Sequence, residues 1–108
     1  MLYQLNIKAN TFIEPVIQVK KNVVIRKPTI KNKVLQEAVA VEIENSKNNL
    51  FKTYQDASFY VEGSVYETEN YESVFLMIET YFGGAHPRHD IKTWVIHKES
   101  SVFLTLDD

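Results

Sequence analysis

The sequence predicts an α+β fold: an antiparallel sheet of four to five strands with one long amphipathic helix packed on one face. Three observations carry that prediction. Apolar residues step by four and three through the middle of the chain, the period of a helix lying on a core. After Ser58, β-branched and aromatic residues dominate and alternate with polar ones, the period of strands. Between the last long strands, two of the three glycines and one of the three prolines fall together in Tyr81-Phe82-Gly83-Gly84-Ala85-His86-Pro87.

The elements follow in order. Tyr3, Leu5 and Ile7 alternate with Gln4 and Asn6, a half-buried strand. Phe12-Ile13 and Val16-Ile17 flank Pro15, which suits a bend or an edge strand. Val23-Val24-Ile25 follows the polar break Lys20-Lys21-Asn22, so residues 12–26 form a short hairpin or bulged pair, with basic residues guarding an edge. Pro28 stops that strand and Thr29 is the expected N-cap. Leu35, Val39, Ile43, Ser46, Leu50 and Tyr54 then form the helix stripe, widened by Ile30, Val34 and Ala38, over residues 29–54. Ser58–Thr68 and Glu72–Phe82 read as a hairpin around Glu69-Asn70-Tyr71. Asp90–His97 and Val102–Leu106 read as a second one, whose last strand is an edge able to pair with another copy.

Composition narrows the function classes. A chain of 108 residues makes a single domain over 1–108. With 44% apolar and 12% aromatic residues it is rich enough to fold around a core. Twelve basic and 14 acidic residues, well mixed, leave a net charge of −2 and no nucleic-acid footprint. The absence of cysteine excludes disulfides and thiolate zinc sites. Met1-Leu2-Tyr3-Gln4-Leu5 lacks the basic and apolar regions of a signal peptide, and no run reaches the roughly 18 apolar residues of a membrane span.

The glycine pair carries the most specific local construction. A strand that stops on Gly83-Gly84 needs backbone at positive φ. Pro87 holds His86 extended. The expectation is a bent loop, Gly83-Gly84-Ala85-His86-Pro87, whose His86 ring hydrogen-bonds within the domain. His86, His89 and Asp90 are also zinc-ligand types within five residues, but Pro87 forbids the helical spacing that zinc sites use. No serine lies in a Gly-x-Ser-x-Gly context, so no nucleophile stands out. No cofactor motif is present. Tyr60, Tyr66, Tyr81 and Trp94 sit in strands whose alternate residues are also apolar. With His86, Arg88 and His89, they are the candidate ligand-binding residues. An outward aromatic row is a platform for sugar rings or a protein partner; the competing reading is a second covered face.

The chain resembles a family of exported bacterial domains. These domains lie beside the catalytic domain of cell-wall polysaccharide deacetylases and in the extracytoplasmic part of a lysozyme-sensing anti-sigma-V factor. The resemblance rests on an aromatic-ended strand (Phe75 to Phe82), Gly83-Gly84-Ala85-His86, a strand (Asp90 to His97), the turn Lys98-Glu99-Ser100-Ser101, and the strand Val102 to Asp107, where the family's strand ends in Leu-x-Asp. It covers roughly residues 58–108, while the first half agrees in order of elements only. The turn departs from the pattern in lacking a glycine, and the family continues beyond the point where this chain stops, so an N-terminal half of a longer domain is one expectation. The resemblance implies an extracytoplasmic, cell-surface, noncatalytic module that senses or binds a protein (lysozyme-like) or a peptidoglycan-type glycan. Any membrane attachment would come through an anchor outside this chain. Two alternatives stand beside it: a metal-dependent hydrolase using the His86-His89-Asp90 loop, and a structural assembly domain that homodimerises through its edge strand.

Overall fold

The computed structural model describes residues 8–10, 17–20, 22–84 and 86–104. The strand expected at Tyr3–Ile7, the bend at Pro15 and the end of the last strand lie outside the described residues. The elements are β1 (Lys8–Asn10), β2 (Ile17–Lys20), β3 (Val23–Arg26), α1 (Lys33–Thr53), β4 (Ser58–Glu67), β5 (Tyr71–Tyr81) and β6 (Arg88–His97). They form one sheet in the order β2-β3-β4-β5-β6, with β1 also on β4. One helix on one face of a mostly antiparallel sheet is the α+β architecture the periodicities predict.

The order adds a feature that alternation cannot reveal. β3 runs parallel to β4, Val23 opposite Phe59 and Arg26 opposite Glu62. Parallel neighbours need a crossover, and α1 supplies it. β1 pairs with the far end of the same β4 edge, Asn10 opposite Val65, while β5 takes the whole of the other edge. A period of two gives the face of each residue but not the direction of the strand beside it.

The helix covers one face only. Leu35, Val39, Ile43 and Leu50 are buried against Val23, Ile25, Phe59, Val61, Val65, Val74, Leu76, Ile78 and Ile96. Val34 does not widen the stripe and is exposed, as is Tyr54 at the end. Gly63 lies on this face opposite Leu76, and a Cβ there would come within 3.0 Å of the Pro28 ring. Pro28, which ends the edge of the sequence pattern before the helix, thus fills the gap that the missing side chain leaves.

The helix begins three residues later than the sequence suggests. Asn32, not Thr29, is the N-cap, its Oδ1 accepting the Leu35 N–H at 3.0 Å. The position is fixed from the sheet. Glu72 is 2% exposed, and its carboxylate accepts the backbone N–H of Lys31 at 2.8 Å and of Asn32 at 3.1 Å. The first turn of α1 contains no acidic residue, so the negative charge favoured at a helix N-terminus comes from β5 instead.

After β6 the chain turns back as expected, and the return is described as far as Leu104. The His97 N–H donates to Val102 O at 2.9 Å and the Leu104 N–H to Val95 O at 2.8 Å, with Phe103 bridging Ile96. Ser101 takes φ +56° in that turn, the left-handed conformation usually left to glycine. Asn32 Nδ2 donates to its Oγ at 3.1 Å, which ties the turn to the start of the helix. Val102 and Leu104 are exposed.

Candidate functional site

The strand register sorts the candidate residues by face. Core residues Phe59, Val61 and Val65 put the odd positions of β4 under the helix, so Tyr60, Glu62, Ser64 and Tyr66 point the other way. In β5 the buried even positions leave Tyr71, Ser73, Phe75, Met77, Glu79 and Tyr81 on that open face. Pairing then places His89, Ile91, Thr93, Val95 and His97 of β6 beside them. Tyr60, Tyr66 and Tyr81 therefore share the face opposite the helix. Trp94 does not: it pairs with Val74 on the helix side and packs against the core. The aromatic row expected from sequence is completed instead by Phe75, Met77 and Ile91. Phe75 is 43% exposed, Ile91 51% and Tyr66 37%. Phe75 and Ile91 are not among the candidates the sequence offers; the register of β5 against β6 places both on the face opposite the helix.

Row by row, the open face changes character along the strands. Val24, Tyr60, Glu79 and His89 lie across the sheet in one row, and Arg26, Glu62, Met77 and Ile91 in the next. The Tyr60 hydroxyl donates to Glu62 Oε1 at 2.8 Å. That bond to a carboxylate, then burial, then the charges of Glu62 and Glu79, hold the phenol pKa above its ordinary value against the opposing pull of Arg26. The Arg26 Nε is buried without a hydrogen-bond partner among the described residues. His89 Nε2 lies 3.6 Å from Glu79 Oε1.

The row is bounded by a cleft of about 410 Å³ between Asn22, Val24, Ser58, Tyr60, Glu79 and Tyr81. Asn22 is fixed at its mouth, its side-chain Nδ2 donating to Ala57 O and its backbone carbonyl accepting the Phe59 N–H. The glycine loop holds the other wall. Gly83 and Gly84 take φ +99° and +104°, the positive values expected from their pairing. Phe82 stacks on Tyr54 at the end of α1, centroids 4.4 Å apart. The reversal that follows brings Gly84 O to the Tyr81 hydroxyl, which donates to it at 3.0 Å.

His86 is placed otherwise than expected. It is exposed, and its ring meets no hydrogen-bond partner among the described residues. The acceptor that closes the loop is Gly84 O, and Tyr81 uses it, so the loop needs no imidazole bridge. Ala85 lies outside the described residues. Arg88 is exposed, its Nε 3.5 Å from Asp90 Oδ2. Alternation along β6 puts His89 on the open face and Asp90 on the helix side, so the two cannot close on one ion while the strand is intact. His97 stands at the opposite end of β6 from His86, opposite Tyr71. Among the described residues no three histidine or carboxylate side chains converge as metal ligands. No helix among them is long and apolar enough to cross a membrane.

A Cβ on Gly83 or Gly84 would meet nothing within 4 Å. The expected penalty of Gly84→Val is therefore backbone strain alone, about 1–3 kcal/mol, rather than loss of the fold. Urea unfolding checks this: a midpoint equal to that of the wild type would mean the loop relaxes to negative φ at no cost.

No protein-family model matches the chain, and no curated protein matches it.

Proposed function

We propose that this domain is a noncatalytic binding module of the cell envelope, facing outward from the membrane, that holds a protein (lysozyme-like) or wall-glycan ligand against its open sheet face. The observation that carries the reading is the exposure of Phe75 and Ile91, with Tyr66 nearby, on the face the helix leaves uncovered. Adjacent apolar side chains on a rigid sheet present area at little conformational cost, which is the usual chemistry of a binding patch. The resemblance of the segment around Gly83-Gly84-Ala85-His86 supports the location and the ligand class. The separation of His89 from Asp90 by the strand alternation weighs against a hydrolytic centre in that loop.

The test is retention of the domain on immobilised lysozyme and on purified wall glycan. Wild-type domain is expected to be retained by one of them. The double variant Phe75→Ser, Ile91→Ser is expected to pass through while still folding cooperatively with a modestly lower melting temperature, since about half of each side chain is already in water. Equal retention of the variant would remove the open face from the binding surface.

A further inference from the structure

We propose that the cleft between Asn22, Val24, Ser58, Tyr60, Glu79 and Tyr81 is a sugar subsite that takes one pyranose ring of an uncharged glycan against the ring of Tyr81. The proposal rests on the reading of the open face as the binding side and names its ligand class.

Three features of the cleft select that chemistry. The first is a fixed aromatic wall. Tyr81 is 42% exposed, yet its hydroxyl is held by Gly84 O at 3.0 Å and the next residue, Phe82, is clamped on Tyr54. A ring that is both exposed and oriented loses little entropy on binding. Its electron-rich face suits the slightly positive C–H groups on one side of a pyranose. The glycine pair thereby acquires a role beyond turning the chain: its positive φ values set Gly84 O where it positions Tyr81.

The second feature is an edge of unused polar groups. Ser58 Oγ and Asn22 Oδ1 have no hydrogen-bond partner among the described residues, and Glu79 meets only His89, through Oε1 at 3.6 Å. A hydroxyl donor-acceptor and carboxylate and amide acceptors complement sugar hydroxyls, which both donate and accept. The third is the sign of the field. Glu79 is the one charged side chain among the described residues that line the cleft, so the charge it presents is negative. That disfavours phosphate, nucleic acid or acidic peptide and leaves uncharged polyols favoured. The volume of about 410 Å³ is at the small end of ligand pockets and suits a single sugar ring rather than an extended chain.

Calorimetric titration with the tetramer of N-acetylglucosamine tests the assignment, beside lysozyme titrated under the same conditions. Wild type is expected to bind the sugar saturably. Tyr81→Ser is expected to lose about tenfold or more in affinity, because the stacking face goes. Tyr81→Phe keeps the ring but frees it from Gly84, and an intermediate loss is expected; this separates positioning from stacking. Val41→Ser, on the exposed side of the helix, should bind as wild type does. Circular dichroism melts establish that each variant is folded. No heat with the tetramer, or affinity unchanged in folded Tyr81→Ser, overturns the sugar subsite. If lysozyme still binds and Phe75→Ser, Ile91→Ser abolishes it, the open-face reading survives while the sugar subsite falls. If neither ligand binds, both fall.

Discussion

Replacing Glu72 by alanine is expected to destabilise the domain by about 3–5 kcal/mol, a large part of the roughly 5–15 kcal/mol that holds a domain of this size folded. Two effects add. The carboxylate takes the backbone N–H groups of Lys31 and Asn32, and at 2% exposure no water stands ready to replace it. Each buried donor left unmet costs about 1–3 kcal/mol. The second effect is the loss of the negative charge at a helix N-terminus that has no acidic residue of its own in its first turn. Glu72→Gln divides the two. Its amide carbonyl can accept one N–H, but its NH2 group faces the other donor, so an intermediate loss of about 1.5–3 kcal/mol is expected. Urea unfolding of both variants reads the difference. Glutamine as stable as glutamate would mean that the charge contributes nothing and that one hydrogen bond suffices.

Glu72 also shows where the sequence stops being legible. It stands at the start of a strand in which every second residue is apolar, and position 72 belongs to the buried set with Val74, Leu76 and Ile78. A lone glutamate there breaks the binary pattern, and that break is a signal. Its partner is 40 residues away in the chain, however, so the strand alone cannot say what satisfies it. The same distance explains the displaced helix start. Thr29 satisfies the local rule for an N-cap, but tertiary contacts from Glu72 and from Ser101 meet at Asn32 instead. Local turn chemistry was legible where it is self-contained. Gly83 and Gly84 take positive φ as their pairing requires, while the glycine missing from the last turn is replaced by Ser101 in the same left-handed region. Which side of the sheet lies open was only half legible. Alternation within β4 and β5 gives two faces, but Trp94 and Ile91 could be assigned only once the register of β6 was known. Its strand pattern is mostly exposed or half-buried on both faces, with Ile96 alone fully buried, so it carries little periodic signal of its own.

Leu35→Ala and Ile43→Ala are each expected to cost about 2–5 kcal/mol, and Val41→Ala on the same helix less than about 0.5 kcal/mol. Leu35 is 0% exposed and Ile43 3%, both against the sheet, whereas Val41 is 49% exposed. Truncating a buried side chain removes its transfer free energy and leaves a cavity that the sheet beneath can close only in part. That sheet is stiff here. β4 is flanked along its length by β5 on one edge and by β3 and β1 on the other, so its inward residues Phe59, Val61 and Val65 have little room to move toward a void. Leu50→Ala should cost less than the other two, because Leu50 is 9% exposed and lies in the last turn, where Tyr54 N–H already bonds back to its carbonyl and the helix end can shift. The expected order of stability is therefore Val41→Ala, then Leu50→Ala, with Leu35→Ala and Ile43→Ala lowest. The crossover gives this series a second consequence. Because α1 joins β3 to β4, loosening its packed face also loosens the parallel pair it connects, Val23 opposite Phe59. Amide exchange in β3 should then accelerate in Ile43→Ala more than exchange in β5, which is held by long antiparallel partners on both sides. Uniform acceleration across all strands would mean that the helix and sheet open only together, as a single cooperative unit.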